Sequence, residues 1–381
     1  MGPLIYDPSS LNEQEVALPS APLITLSSNA CTGPGMIAFL PPSSAFKPNT
    51  QKTLDPEPVQ KWAEEGFAVV SVTSGEGWSV KEALTKGIES LLALKELDTR
   101  DRFAIYVYDP EVLSSVISHI QQLQDSRLSC LVAIGSPETF PSIPAYTSTS
   151  LPHRPFPKAP TLHLTNSPNR RIFFFFPKPA DYASGEATLA HSRVLVFLRK
   201  ILGGPIFDIE AIWEEHLYFW IRSAKFVAEP YVNHVPTMTG GIGRKALTAF
   251  YRDHFIFANP GDTVMIPVSR TIGSDRVVDE FILKMTHDRV LECLLPGVPP
   301  TGKLLEIPMM GVISMRGDRL YHEHIWWDQA TALLQAGILP SYGQKRLRLP
   351  VAGAESARLL MNEMDGKSNE MFGSDWGVQD A

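Results

Sequence analysis

Two regimes of hydrophobic patterning divide the chain near residue 205. Before it, short unbroken apolar runs alternate with stretches of helical spacing. Gly35 to Leu40 (GMIAFL), Gly66 to Val72 (GFAVVSV), Phe103 to Tyr108 (FAIYVY), Cys130 to Ile134 (CLVAI) and Ile172 to Phe176 (IFFFF) are continuous rather than alternating. Such runs read as strands of a parallel sheet covered on both faces. Between them Leu84, Ile88, Leu91 and Leu92 recur at helical intervals, as do Val112, Val116, Ile120 and Leu123. A last stripe, Leu195, Leu198, Ile201 and Leu202, runs into Gly203-Gly204-Pro205, a helix stop. This alternation predicts a layered α/β domain with right-handed crossovers over residues 30–205, preceded by an N-terminal extension, residues 1–29.

Over residues 206–345 the pattern becomes α+β, with a tail at 346–381. Phe207 to Val227 is an amphipathic helical stretch rich in aromatics (Trp213, Tyr218, Phe219, Trp220). A polar loop follows from Glu229 to Gly241 (EPYVNHVPTMTGG), then a short helix from Lys245 to Phe255. After Asn259-Pro260 come strand-like segments at 263–272, 276–288, 303–315 and 319–328. Strands following helices predict a curved antiparallel sheet with helices on one face, a cone-shaped α+β barrel around a pocket.

Composition narrows the partners. At ~100–200 residues per domain, a chain of this length holds two or three domains with real cores. The 44% apolar content excludes wholesale disorder. With 34 Lys+Arg against 41 Asp+Glu the net charge is −7, which argues against nucleic acid as a partner. The three cysteines, Cys31, Cys130 and Cys293, form no C-x-x-C pair, so neither a disulfide scaffold nor a cysteine-rich zinc module is expected. The N-terminus lacks a basic start followed by an apolar core, and no run approaches the ~18–20 apolar residues of a membrane span. The expectation is a soluble, reduced, cytoplasmic protein that does not bind membranes.

An α/β layer of this size invites a nucleophile elbow, whose flanking glycines let the nucleophile project from a sharp turn. No G-x-S-x-G or cysteine counterpart occurs, and the turn after FAIYVY reads Tyr108-Asp109-Pro110-Glu111-Val112. The order IAFLPPSS, WAEEGFAVVSV, DRFAIYVY, LVAIGSP, VLVFLRKIL resembles the dienelactone hydrolase-type α/β-hydrolases over about residues 30–203. That resemblance implies a Cys–His–Asp triad, and the match fails at all three positions. The nucleophile slot falls on Asp109, the histidine slot on Pro177-Lys178-Pro179-Ala180-Asp181, and the acid slot near Asn166-Ser167-Pro168. An aspartate can act as a nucleophile, but Asp before Pro-Glu at a helix start equally fits a cap. A hydrolase scaffold without its catalytic groups is the expectation here.

In the second half, EPYVNHVPT, ALTAFYRDHF, DRVVDEFILKMTHD, LLPGVPPTGK and GDRLYHEHIWWDQA resemble the SnoaL-like polyketide cyclases of the nuclear transport factor 2-like, ketosteroid isomerase-like superfamily. The resemblance implies chemistry without metal or cofactor. In ketosteroid isomerases a carboxylate base precedes the tyrosine of a Phe-Tyr pair by a fixed interval, and the same interval back from Tyr251 falls on His234. Histidine there replaces the carboxylate and suits general-base work near neutrality. The acid/base aspartate of the cyclases corresponds to Asp328, and Trp327 falls on a pocket-wall tryptophan. The isomerases' second, protonated acid is missing, its slot falling near Gly311.

Other candidates come from the residues themselves. Glu280 interrupts the apolar strand VVDEFILKM, so it points into a polar pocket or into solvent. His287 and Asp288 end that strand, as pocket groups or as exposed hairpin residues. Tyr231 and Asn233 share the His234 loop, and Trp220 belongs to the aromatic stretch. His322-Glu323-His324 places two imidazoles on one strand face, which with His287 would make a three-nitrogen metal set. The resemblance instead turns Glu323 and Trp327 inwards and His322 and His324 outwards; His324 stays a candidate contact beside Glu323. Tyr251 could be core with a locally bonded hydroxyl, and Asp328 could cap the helix that follows.

The function expected is cofactor-free acid/base catalysis on a polyketide-like or cyclic ketone, beginning with proton removal alpha to a carbonyl and ending in cyclisation, isomerisation or dehydration. Tyr251 would hydrogen-bond the enolate, with Asp328 or Glu280 returning a proton. The alternatives are an ester or lactone hydrolase working from the first half, and a non-catalytic binding or assembly protein. By resemblance a homodimer is expected.

Overall fold

In the computed structural model the described residues are 14–16, 24–27, 33–45, 53–73, 79–95, 97–135, 161–165, 182–219, 226–341, 347–373 and 376–378. They divide into two compact units, the first ending at Phe207 and the second beginning at Asp208.

The first unit contains β1 (Gln14–Val16), β2 (Ile24–Ser27), β3 (Gly33–Leu40), α1 (Pro58–Glu64), β4 (Ala68–Thr73) and α2 (Val80–Ala93). It continues through β5 (Leu97–Val107), α3 (Leu113–Leu123), β6 (Leu128–Gly135), β7 (Thr161–Thr165) and α4 (Ser184–Leu202). The strands form one sheet in the order β1-β2-β4-β3-β5-β6-β7. From β4 to β7 every neighbour is parallel, while β2 runs antiparallel to both β1 and β4. Successive residues of β3 explain why its apolar run is unbroken. Ile37 and Phe39 pack with Leu84 and Leu91 of α2 and Val116 of α3. Met36 and Ala38 pack on the other face with Trp62 of α1 and Leu195 and Leu198 of α4. Both faces are covered, and each large apolar side chain so buried contributes roughly 1.5–3 kcal/mol. Gly203, at φ 78°, caps α4 where the Gly-Gly-Pro stop is expected. The strand expected at 172–176 lies outside the described residues. The strands β1, β2 and β7 fall where no apolar run announces one; β7 (TLHLT) alternates with polar residues.

The second unit begins with α5 (Ile209–Phe219), β8 (Phe226–His234), β9 (Thr239–Ile242) and α6 (Gly243–Phe250), followed directly by a π-helical turn, Tyr251–Phe255. Then come β10 (Val264–Ile272), β11 (Arg276–Thr286), β12 (Leu304–Arg316), β13 (Arg319–Trp327), α7 (Gln329–Ala336), the short pair β14 (Leu347–Arg348) and β15 (Gly377–Val378), and between those two α8 (Glu355–Met361). The main sheet has the order β10-β11-β12-β13-β8-β9. Its pairs are antiparallel except β13 with β8, which is parallel, so the expected purely antiparallel sheet is corrected.

Two further expectations change. The segment from Glu229 to Gly241 is not a loop but most of the β8–β9 hairpin, because Val232 and His234 alternate inwards against β13 while Tyr231 and Asn233 take the other face. The helical reading to Val227 also fails at its end, since Phe226 and Val227 already belong to a strand.

The hairpin depends on Gly240, which pairs with Asn233 at φ 140°. A Cβ there would sit 2.0 Å from the Val232 carbonyl oxygen, a backbone atom that cannot swing aside. Gly240→Ala is therefore expected to cost about 2–3 kcal/mol by combining left-handed strain with a lost strand pair. Urea unfolding followed by tryptophan fluorescence measures it; an unchanged midpoint would show that the hairpin closes without the glycine.

Candidate functional site

Between the inner face of the second sheet and the helices over it lies a cavity of about 840 Å³, counted to its open mouth. Its walls are mainly Phe255, Met265, Phe281, Leu283, Leu294, Ile325 and similar apolar groups. Into this wall project five titratable side chains: His216, His234, Tyr251, Glu323 and Cys293, whose thiol burial pushes up to about 12. Strand alternation brings in two of them, since Glu323 sits beside Val232 and His234 beside Ile325 in the parallel β13–β8 register. The π-helical turn supplies Tyr251 and Phe255 at its two ends, and π-turns of this kind recur at functional sites. His216 comes from α5.

His234 is held in one tautomer. Its Nδ1 donates to the Thr239 carbonyl oxygen at 3.3 Å, which leaves Nε2 as a free acceptor. Rings of Phe250, Phe255 and Trp327 pack around it at centroid distances of 5.5, 5.5 and 6.0 Å. Burial lowers its pKa below the ordinary histidine value, against smaller upward pulls from the Thr239 carbonyl and the Glu323 carboxylate. The result is a neutral imidazole in an apolar wall.

Glu323 is only 5% exposed, so its charge has to be answered inside the protein. The Tyr251 hydroxyl donates to Oε2 at 3.5 Å, a long bond. On the other side His216 Nε2 lies 3.2 Å from Oε1. That pair is an electrostatic contact and not a hydrogen bond, because the N–H direction misses the oxygen and Oε1 has no hydrogen-bond donor. Burial, and then the Glu323 charge, push the Tyr251 phenol well above its ordinary range, so it remains a donor. His216 is itself stacked on Trp213 at 5.3 Å, and the Trp213 indole N–H donates to Asp279 at 2.6 Å. Asp279 also accepts two bonds from Arg270, which fixes α5 against β11 and β10.

The expected site residues separate into two groups. His234, Tyr251, Glu323 and Trp327 line the cavity together. The others do not. Asp328 caps α7, accepting from the Ala330 and Thr331 backbone N–H groups and the Thr331 hydroxyl. Glu280 lies on the opposite face of β11 from Phe281 and accepts from the Ser269 hydroxyl. His287 is fully buried in the β11–β12 connection, its Nδ1 3.0 Å from the Thr301 hydroxyl and its carbonyl accepting from Thr301 and Gly302, a turn-building arrangement. Asp288 pairs with the neighbouring Arg289 in solvent. Tyr231, Asn233 and His324 occupy the other face of the sheet, where the Tyr231 ring packs 5.5 Å from those of both His322 and His324. Trp220 lies outside the described residues. Among the described residues no group of three or more His, Cys, Asp or Glu side chains is placed to hold a metal ion.

His216 was missed by the sequence. Its signal was faint: a histidine three residues after Trp213, on the face of an amphipathic helix that otherwise carries apolar groups. In the first unit, Asp109 is 4% exposed and its Oδ1 accepts from the Glu111 N–H at 3.0 Å, closing the turn into α3. The triad slots at 166–168 and 177–181 lie outside the described residues.

No protein-family model matches the chain, and no curated protein sequence matches it. Among solved structures it is similar to a protein described as a SnoaL-like polyketide cyclase from Jannaschia sp. CCS1, at 14% identity over 36% of this chain and 99% of that one, TM-score 0.28. It is also similar to a protein with a ketosteroid isomerase-like fold from Catenulispora acidiphila DSM 44928, in complex with trimethylamine, at 15% identity over 35% and 96%, TM-score 0.26. A third is IdmH from Streptomyces antibioticus, described as a polyketide cyclase, at 21% identity over 34% and 91%, TM-score 0.25. Likeness at this level carries no chemistry, and the reading of the site rests on its own geometry.

The buried His234 makes stability depend on pH. Folding lowers its pKa, so the unfolded chain takes up this proton first. The stability contributed by the neutral ring is whole above pH ~6.5 and is lost as the pH falls below it. Denaturant unfolding from about pH 7 down to about pH 5 is expected to show that decline, with a shallower one in His234→Phe. Equal slopes in the two proteins would remove His234 as the source.

Proposed function

We propose that the second unit is a cofactor-independent acid/base enzyme that removes a proton alpha to a carbonyl in a largely apolar small molecule, of polyketide-like or cyclic ketone type. One observation carries this reading: a neutral imidazole, His234, with its tautomer fixed by the Thr239 carbonyl and its free nitrogen in an aromatic cavity that also holds Tyr251 and Glu323. A base needs a free lone pair, and His234, kept neutral by burial, offers one at Nε2. Tyr251, protonated and joined to Glu323 by only a long bond, turns its hydroxyl to the enolate oxygen as charge develops there. In apolar surroundings that bond is stronger than in water.

The same reading takes the second unit as a cone-shaped barrel of the SnoaL-like type and the first as an α/β-hydrolase-like scaffold. For the scaffold, the support is the run of parallel strands with an antiparallel second strand at its edge. Hydrolysis from Asp109 is disfavoured by the burial of that side chain and its bond to the Glu111 N–H.

The test needs no knowledge of the natural substrate. The protein is incubated with 2-tetralone in heavy water, and loss of the alpha-proton signals is followed by proton NMR. His234→Ala is expected to slow the catalysed exchange by about a hundredfold or more. Tyr251→Phe is expected to slow it by up to about 3–4 kcal/mol of barrier, the usual cost of an enolate donor. Exchange at the unaltered rate in His234→Ala would sink the assignment.

A further inference from the structure

His216 is the imidazole of the cavity that proton abstraction by His234 leaves without a task. It is 4% exposed, and its Nδ1 is sealed in the protein with no hydrogen-bond partner among the described residues. Nε2 is therefore the ring nitrogen on the Glu323 and cavity side. The Glu323 carboxylate lies 3.2 Å from Nε2, yet it does not lie on the N–H axis, so a proton on Nε2 remains free to be given elsewhere.

The two imidazoles do not occupy the same place. In the β13–β8 register His234 lies two strand residues along from Glu323, a spacing of roughly 7 Å. His216 reaches Glu323 from α5, so the carboxylate is in contact with one ring and close enough to the other to raise its pKa. Moving a double bond within an enone returns the proton a few ångströms from where it left, and one swinging base suffices. Expelling an oxygen also calls for a proton on the departing atom, and a second group beside the base can supply it without the base having to swing.

We propose that His216, backed by Glu323, is the general acid of this site, and that the substrate is a β-hydroxy ketone which the enzyme dehydrates. This rests on the reading of His234 as the base. His234 Nε2 removes the alpha proton, and the C–H electron pair becomes the enolate, whose oxygen the Tyr251 hydroxyl holds. That pair then forms the alpha–beta double bond as the bond from the beta carbon to oxygen breaks, its electrons leaving with the oxygen. The departing oxygen takes the proton from His216 Nε2 and leaves as water. The products are an α,β-unsaturated ketone and one water. His234 ends protonated and His216 neutral, and one proton passed through the released water restores both, with no oxidant or reductant involved.

Leaving-group dependence separates an acid from a structural residue. The probes are 4-hydroxy-4-phenylbutan-2-one, which must expel hydroxide or water, and 4-(4-nitrophenoxy)butan-2-one, whose nitrophenolate leaves without a proton. Both eliminations are followed by absorbance. The unaltered protein is expected to accelerate both, and His234→Ala to lose both. His216→Phe is expected to lose about a hundredfold on the alcohol and less than about tenfold on the nitrophenyl ether. Glu323→Gln, which keeps the shape of the side chain should the first variant fold poorly, is expected to give the same split. Equal losses on the two probes, or elimination from the ether alone by the unaltered protein, would overturn the role of His216 while leaving His234 as the base. Unchanged elimination from both probes in His234→Ala would overturn the base reading itself, and an unaltered protein that accelerates neither overturns both.

Discussion

A carboxylate surrounded by aromatic and aliphatic side chains is tenable only if donors or positive charge meet it, since an unpaired buried charge costs several kcal/mol or more. Glu323 imposes that demand on the second unit. It faces inwards because β13 alternates with a period of two: Glu323, Ile325 and Trp327 share one face, and His322, His324 and Trp326 the other. Its answers come from two other elements, Tyr251 at the start of the π-turn and His216 on α5. One side chain thus fixes where a helix and a helical turn must lie over the sheet. The placement of α5 is reinforced from outside by the Arg270–Asp279–Trp213 chain, which ends on the His216 ring.

The apolar wall decides what those polar groups can do. The same desolvation that makes Glu323 expensive to bury keeps His234 neutral and Tyr251 protonated. It thereby separates an acceptor from a donor that would both be less distinct in water. Trp213 and Trp327 direct their indole N–H groups to Asp279 and Gln329, and Thr263 and Asn259 bond the Pro260 and Phe255 carbonyls. With those donors committed to the protein, polar atoms of the proposed substrate would meet His216, His234, Tyr251, Glu323 and the Cys293 thiol.

Much of the architecture was legible because burial on two faces leaves a one-dimensional trace. Continuous apolar runs marked β3, β4, β5 and β6, since each successive side chain meets helices on one side or the other. The strands β1, β2 and β7 left no such trace, being three to five residues long. The strand β8 was read as a loop because Asn233 and Tyr231 look polar in sequence, although they merely face away from the cavity. Phase likewise explains the site. The inward positions of β13 were legible once its period was known, and Glu280 was misplaced by one step in phase from Phe281. Asp328 lies one residue past the strand, where capping of α7 captures both carboxylate oxygens. His216 stayed hidden because a helix face gives no hint of which distant strand residue it will meet.

The contrast between the two units is one of free lone pairs and room. In a parallel sheet of order β4-β3-β5-β6, the crevice at the carboxyl ends of β3 and β5 is where a doubly wound fold places its ligands. Here that position is taken by the protein's own groups. Tyr108 is buried, accepts the Trp62 indole N–H at 2.7 Å and stacks on Tyr106 at 4.0 Å. Next to it the Asp109 backbone N–H bonds the Phe39 carbonyl and its carboxylate bonds the Glu111 N–H. A nucleophile must project from its turn with an unshared pair available, and Asp109 is held back on both counts. In the cavity of the second unit, His234 Nε2 and His216 Nε2 face open volume without a hydrogen-bond donor or acceptor fully engaging them. That difference, and not the presence of titratable residues as such, is why the proposed chemistry is placed in the second unit.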